Sequence, residues 1–158
     1  MSKAVLISIR PKWVQKIASC EKTIEVRKTK PKLETPFKCY IYCTRDKHLA
    51  FMQNASGTNL IACMNAETAI PVGGAIGNGR VVGEFTCDRI DSLSPANEPY
   101  GIYDIDDNYV LQTCLENGAL WDYGHGTPLY GWHISDLRIY DTPKELSEFK
   151  PVCRVDFG

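Results

Sequence analysis

The stretch Cys20-Glu21-Lys22-Thr23-Ile24-Glu25-Val26-Arg27 carries the clearest pattern in the chain. From its fourth residue onward polar and apolar side chains alternate, which predicts a β-strand at residues 23–28. Ile24 and Val26 fall on one face of this strand. Glu25 and Arg27 fall on the other, close enough for the carboxylate to orient the guanidinium.

Lys22 lies at the turn that enters this strand, so two cations and one carboxylate come together. Such a group can hold an anionic backbone, read a base or, with a lysine pKa lowered by burial, take part in catalysis. The alternative is structural: Glu25 and Arg27 pair across the sheet face and Lys22 is solvated.

The residues before and after this strand predict further regular structure. Residues 4–9 are apolar and β-branched, typical of a buried strand, and Pro11 favours a helix start that continues through Ile17. Residues 37–44 read as another strand. Residues 45–76 are weakly patterned, and we interpret them as an insertion that ends in a flexible Gly-rich turn rather than a phosphate loop.

The second half of the chain predicts three more strands and a helix. Residues 80–89 form the clearest long strand, and Gly83 within it indicates a bulge. Residues 108–117 have apolar side chains at helical spacing and predict a helix that ends before Gly118. The stretches 134–140 and 152–157 read as closing strands.

Composition predicts one globular domain spanning 1–158, including the insertion. Hydrophobic residues make up 44% of the 158 and charged residues 23%, which is ordinary for such a domain. The seven cysteines are odd in number and scattered, so we expect free, mostly buried thiols and no metal site or cofactor. The first residues resemble neither a signal peptide nor a membrane span, and we expect a cytoplasmic protein.

Charge is distributed unevenly along the chain. Residues 10–32 contain eight basic and two acidic residues and carry +6, against a net charge of -1 for the whole. Such asymmetry indicates a surface that faces a polyanion, although a solvated basic face is the alternative.

The quoted stretch resembles the ASCH signature G-x-K-x-x-E-x-R, with Lys22, Glu25 and Arg27 matching and Cys20 in place of the glycine. Three further segments are similar to ASCH proteins: Leu6-Ile-Ser-Ile-Arg-Pro-Lys-Trp13, Gly79-Arg-Val-Val-Gly-Glu-Phe85 and Tyr130-Gly-Trp-His-Ile-Ser-Asp-Leu137. The resemblance implies an α+β fold: a small, partly closed PUA-like β-barrel of about five to six strands with two or three flanking helices.

The resemblance also implies an RNA-binding protein whose cationic cleft recognises RNA or a nucleotide base, with no obligate protein partner evident. The expected nucleic-acid-binding residues are Lys22, Glu25, Arg27, Arg10, Tyr42 and His133. Trp132 could stack an unpaired base, but its place on the strand face with Ile134 favours a core position.

A metal-independent hydrolase is the alternative function, with Lys22 and Glu25 as candidate catalytic residues. Some ASCH proteins are reported to cleave RNA. Others are amidohydrolases acting on N4-acetylcytidine with a nucleophilic threonine three residues after the lysine, a position that Glu25 occupies here. A protein-interaction domain is a third reading, supported only by aromatic residues near Pro-rich loops.

Overall fold

The computed structural model describes residues 3–53, 59–63, 74–96 and 102–150, with the backbone alone for 59–63. The strands of the described residues are β1 Ala4–Ile9, β2 Ile24–Arg27, β3 Phe37–Cys43, β4 Leu49–Gln53, β5 Asn59–Cys63, β6 Ala75–Ile76, β7 Arg80–Leu93 and β8 Leu129–Lys144. The helices are α1 Pro11–Ala18, α2 Asp107–Thr113 and α3 Asn117–Gly124, followed by a short 3-10 helix at Leu146–Glu148.

The main sheet has five strands in the order β1-β3-β7-β8-β2. β1 runs parallel to β3, and the other neighbours are antiparallel. Alternate residues of β1 and β3 point into one apolar core, which also takes up Phe85 and Trp132. Within the described part of the chain, β1 and β2 each pair with one strand only, so they are the two ends of this sheet.

The sheet curves strongly, and Gly83 marks one of the places where it does so. The pairing of β7 with β8 shifts register between Val81 and Gly83, and a Cβ on Gly83 would lie 2.7 Å from the carbonyl oxygen of Arg138. The curvature brings the outer edges of β1 and β2 face to face, where the Arg27 side chain donates a hydrogen bond to the Ser8 carbonyl oxygen at 2.8 Å. The α+β class is confirmed. In the described residues a side chain, not a ladder of strand hydrogen bonds, joins the two ends of the sheet.

A smaller sheet of β5, β4 and β6 occupies part of the predicted insertion. β4 was not predicted. Residues 50–53 are all buried, and a strand that is buried on both faces does not alternate between polar and apolar residues. The Asn78 side chain holds this sheet in place by accepting from the Phe51 N–H at 2.9 Å and donating to the Leu49 carbonyl at 2.9 Å. α1 packs against β4, so the small sheet extends the core of the main one.

The prediction of a single helix at residues 108–117 is wrong. Cys114 adopts a left-handed conformation with φ 58°, which ends α2 at Thr113, and α3 then begins at Asn117. Gly118 lies inside α3 instead of ending α2. The apolar spacing was misleading because Leu111 is 73% exposed.

The five cysteines whose side chains are described are free, and three of them, Cys39, Cys43 and Cys87, are buried. Burial raises the pKa of Cys43 to about 12 and that of Cys87 to about 11, which keeps both thiols protonated. The predicted strand at 152–157 and the start of the Gly-rich run at 71–73 lie outside the described residues. No helix in the described ranges is long and apolar enough to cross a membrane.

The two glycines of α3 provide a matched test of this packing. A Cβ on Gly124 would collide with the Tyr103 hydroxyl, whereas a Cβ on Gly118 would meet nothing within 4 Å. We expect Gly124→Ala to lower the free energy of unfolding by about 1–3 kcal/mol through overpacking. Gly118→Ala should raise it by up to about 1 kcal/mol through helix propensity. Urea denaturation followed by circular dichroism measures both, and equal effects would contradict this packing.

Candidate functional site

The polar side chains of β2 face the inside of the curved sheet. In the register of β2 with β8, Glu25 lies opposite Trp132 and Arg27 opposite Tyr130, and side chains of paired residues project from the same face. Trp132 is 1% exposed in the main core, as the sequence predicted. Val26 points the other way, into a second apolar cluster beneath α3.

Glu25 is the centre of the predicted cluster. It is 5% exposed, and each carboxylate oxygen faces a different cation. Oε1 lies 3.7 Å from Lys22 Nζ and accepts a hydrogen bond from the Val26 N–H at 3.2 Å. Oε2 lies 3.9 Å from Arg27 Nη1. The structure therefore brings Lys22, Glu25 and Arg27 together around one buried carboxylate.

Lys22 is an internal member of this cluster, with 1% of its surface exposed. Its Nζ donates to the carbonyl oxygen of Thr113 and lies 5.0 Å from the ring centroid of Trp13. Because the last carbonyls of a helix lack helical partners, this contact caps the C-terminus of α2. Burial lowers the pKa of Lys22 below the usual lysine value, and the Glu25 carboxylate opposes part of that shift. Of the three cluster residues, Arg27 lines the pocket described next, whereas Lys22 and Glu25 do not.

A pocket opens between the outer edges of β1 and β2, a place that we call the seam. Its volume is about 230 Å³, below the roughly 300–1,000 Å³ of pockets for drug-sized ligands, so it has room only for a small group. The residues that line it are Leu6, Ile7, Ser8, Arg27, Thr29 and Trp132. The indole N–H of Trp132 donates to the Thr29 carbonyl at 3.3 Å and ties this wall to the core.

The β1 edge of the seam presents backbone hydrogen-bonding groups. Successive residues of a strand direct their N–H and C=O to opposite edges. The Ile9 carbonyl accepts from Thr44 on the β3 side, whereas the Ser8 carbonyl accepts from Arg27 on the seam side. By the same alternation the N–H and C=O of Leu6 and the N–H of Ser8 point into the seam. Among the described residues no strand pairs with that edge.

The β2 edge is arranged in the same way. The Thr23 carbonyl accepts from the Ile134 N–H on the β8 side at 2.9 Å. Alternation then directs the backbone groups of Ile24 and Val26 into the seam. The Val26 N–H is already bonded to Glu25, so the groups directed into the seam from this edge are the Ile24 N–H and the carbonyls of Ile24 and Val26.

Tyr123 of α3 lies beside Lys28, the residue that follows Arg27, and was not among the predicted site residues. Its ring lies 4.8 Å from Lys28 Nζ. Burial raises the pKa of Tyr123, while the neighbouring Arg27 guanidinium opposes the shift. The sequence could not predict that Tyr123 lies near β2, because no residue spacing in α3 connects the two elements. Ser8, Leu6 and Thr29 were also missed, because no spacing in the sequence connects β1 with the end of β2.

The remaining predicted site residues lie apart from the buried cluster. Arg10 is exposed at the N-terminal cap of α1. Tyr42 is half-buried on β3, beside Ser8 in the parallel register, and does not line the pocket. His133 lies on the opposite face of β8 from Trp132, next to Ile24.

His133 belongs to a separate polar group. Its Nε2 lies 2.5 Å from Asp91 Oδ2, an oxygen that also accepts from the Tyr109 hydroxyl at 3.1 Å. Arg89 Nε lies 3.0 Å from the other oxygen of Asp91. Burial alone would raise the pKa of Asp91, but the hydrogen bonds from His133 and Tyr109 outweigh it and the pKa is lowered. Because Tyr109 belongs to α2, this group joins α2 to the sheet.

The overall fold is similar to solved structures of a bacterial protein. It matches the crystal structure of ASCH from Zymomonas mobilis with a TM-score of 0.56 and 18% identity, over 96% of this chain and 85% of that one. A Ser-to-Ala variant of that protein matches with a TM-score of 0.53 and 17% identity, over 95% and 83%. A Tyr-to-Phe variant matches with a TM-score of 0.52 and 17% identity, over 90% and 76%.

The chain has the ASCH fold. No family model and no curated protein matches it, so the structures carry this conclusion. Within this ASCH fold the signature strand is β2, and its polar residues lie at the seam. The described residues contain no group of three or more side chains arranged to hold a metal ion.

Two lysine–glutamate pairs test whether a buried ion pair contributes more to the stability of the fold than an exposed one. Lys22 and Glu25 are both buried, whereas Lys16 and Glu21 form a 3.1 Å pair that is partly exposed. We expect Lys22→Met to lower the free energy of unfolding by about 3 kcal/mol, because the buried carboxylate loses a partner and α2 loses its cap. Lys16→Met should cost less than about 1 kcal/mol. Chemical denaturation of both variants measures this, and a Lys22→Met loss as small as that of Lys16→Met would contradict the buried role.

Proposed function

We propose that this chain binds RNA by taking one nucleotide into the seam. The observation that carries the proposal is the position of Arg27. Its side chain spans the two sheet edges, bonded to the Ser8 carbonyl at 2.8 Å and 3.9 Å from Glu25, and is 32% exposed. A guanidinium has five N–H donors, so donors remain for a ligand in the pocket.

The chemistry of the seam favours a nucleotide over an uncharged ligand. The planar fork of an arginine suits a phosphate or the acceptor edge of a base. The seam edges of β1 and β2 add backbone donors and acceptors at fixed spacing, which is what the Watson–Crick edge of an unpaired base requires. Trp132 supplies an apolar wall at the inner end of the pocket.

Glu25 preorganises this arrangement. A carboxylate beside a guanidinium limits the directions that the guanidinium takes, and a group fixed before binding loses less entropy on binding. Glu25 itself is 5% exposed, with its oxygens directed to Lys22, Val26 and Arg27. We therefore propose Arg27 as a direct ligand contact and Glu25 and Lys22 as positioning residues.

Hydrolysis is the second candidate, and one observation favours it: the pKa of Lys22 is lowered beside a carboxylate, a pattern found at catalytic sites. Access opposes it. Lys22 is 1% exposed and its Nζ is bonded to Thr113, so it would have to leave the α2 terminus to reach a substrate. We expect RNA incubated with the protein to remain intact on a gel.

Replacement of Arg27 tests the binding proposal. Fluorescence anisotropy of a labelled single-stranded RNA of random sequence should show at least a tenfold loss of affinity for Arg27→Ala, because a charge-assisted contact is lost. Arg27→Lys should recover only part of it, since the charge remains but the fork does not.

The matched control is Arg138→Ala, which removes an exposed guanidinium that lies over the Tyr140 ring. It should bind RNA as the unchanged protein does. Equal losses for Arg27→Ala and Arg138→Ala would mean that general charge, not the seam, attracts the RNA, and the proposal would be rejected.

A further inference from the structure

We infer that Cys20 and Cys114 form a redox-sensitive pair: a peroxide joins them in a disulfide, which holds the end of α2 over Lys22. Cys20 follows α1 in the chain, and Cys114 follows α2. The pair lies at the contact between these two helix ends, apart from the residues that line the seam pocket.

The two helix ends lie side by side, and residues 21–23 run alongside residues 112–114 in the opposite direction. The contacts between them, in order, are the Thr23 N–H to the Gln112 carbonyl at 2.9 Å, Lys22 Nζ to the Thr113 carbonyl, and Cys114 Sγ to the Glu21 carbonyl at 3.4 Å. Cys20 is the next residue in this order. Consecutive Cα atoms are about 3.8 Å apart, and a disulfide joins Cα atoms that are about 4.4–6.8 Å apart. One step along the chain from a residue that Cys114 already contacts therefore brings Cys20 within reach of a disulfide.

Among the five cysteines whose side chains are described, these two are the accessible ones. Cys20 is exposed and Cys114 is half-buried, whereas Cys39, Cys43 and Cys87 are buried. Burial raises the pKa of each of the three buried thiols and keeps them protonated, and the thiolate is the form that attacks a peroxide. A peroxide therefore reaches Cys20 before any other thiol in the described residues.

Both cysteines occupy backbone positions that favour glycine. Cys20 has φ 64° and Cys114 has φ 58°, in the left-handed region that a residue with a Cβ adopts only at an energetic cost. The ASCH signature has glycine at the position of Cys20. The chain thus places two thiols at neighbouring positions where a smaller residue would be more favourable, which is expected if the sulfur atoms are what these residues contribute.

The oxidation takes place in two balanced steps. The Cys20 thiolate attacks one oxygen of hydrogen peroxide: an S–O bond forms, the O–O bond breaks, and the hydroxide that leaves takes up the thiol proton to become water. The Cys114 sulfur then attacks the sulfenic sulfur of Cys20: the S–S bond forms, the S–O bond breaks, and a second water leaves with the Cys114 proton. Two thiols are oxidised, and one peroxide is reduced to two waters.

The disulfide fixes the part of α2 that covers Lys22. Lys22 is 1% exposed, and its Nζ is bonded to the Thr113 carbonyl, next to Cys114 in the chain. Burial lowers the pKa of Lys22, and the negative charges of Glu25 and then Cys114 oppose this shift. In the reduced protein the amine reaches solvent when the end of α2 separates from it by local opening. A covalent bond from Cys114 to Cys20 prevents that separation.

Peptide mapping of the oxidised chain tests the pair. After treatment with hydrogen peroxide and digestion without reductant, mass spectrometry should find one cross-linked pair of peptides that contains Cys20 and Cys114 and that dithiothreitol separates. The melting temperature should rise by about 5–10 °C, because a disulfide that closes a long loop restricts the unfolded chain. Cys20→Gly suits the left-handed backbone, so it should fold as the reduced protein does and show neither effect. Cys153→Ser should show both.

Acetylation of lysines tests whether the disulfide controls Lys22. With acetic anhydride, Lys22 should react roughly tenfold more slowly in the oxidised protein than in the reduced one, because local opening of the α2 end is suppressed. Lys16 is partly exposed and should react equally in both forms. In Cys20→Gly, treatment with peroxide should leave the Lys22 rate unchanged.

Two results would overturn the inference. A cross-link between other cysteines, or oxidation of Cys20 to the sulfinic acid without a cross-link, would refute the pair. A Cys20–Cys114 cross-link with an unchanged Lys22 rate would refute the control of Lys22. Neither measurement involves RNA, so the pair and the proposed function can fail independently of each other.

Discussion

A carboxylate that is 5% exposed has to be compensated by cations and hydrogen bonds, because an unpaired buried charge costs several kcal/mol. Glu25 is that carboxylate, and the groups that compensate it organise the neighbouring structure. Lys22, buried on one side of it, caps α2 through the Thr113 carbonyl. Arg27, on the other side, crosses to Ser8 of β1. One carboxylate thus couples the end of α2 to the gap that the described residues leave between the outer edges of β1 and β2.

Under the proposed function, the seam would give a small sheet protein a binding site without a large cavity. A strand edge presents unpaired N–H and C=O groups, which are normally a risk for aggregation. In the described residues two such edges face each other, and the Arg27 guanidinium bridges them through its hydrogen bond to the Ser8 carbonyl. Backbone groups keep a fixed spacing, so they can recognise a base more precisely than long side chains can. The proposed contacts depend on the curvature of the sheet, to which Gly83 contributes.

Local sequence patterns predicted the features that lie within a single strand or helix. The alternation around Ile24 and the proline at the start of α1 gave β2 and α1, and Trp132 was expected in the core, where it lies. The short spacing of Lys22, Glu25 and Arg27, from the turn before β2 to its end, likewise predicted that the three side chains lie together. The seam could not be predicted in this way, because it joins β1 to β2 through curvature that depends on bulges in β7 and β8. The strand alternation also put His133 on the face opposite Trp132, where it lies, but it gave no sign that Asp91 and Arg89 of β7 would be its partners. The wholly buried β4 left no periodic signal at all.

The most direct test of the account is an NMR titration of the ¹⁵N-labelled protein with a short single-stranded RNA, followed at the backbone amides and the arginine side-chain N–H groups. The account predicts that the largest shifts occur at the Leu6 and Ser8 amides on the open edge of β1 and at the Arg27 Nε–H, and that they saturate together. Unchanged signals from these three groups, with shifts gathered instead around Arg138 and Tyr140, would show that RNA binds elsewhere and would contradict the seam as the functional site.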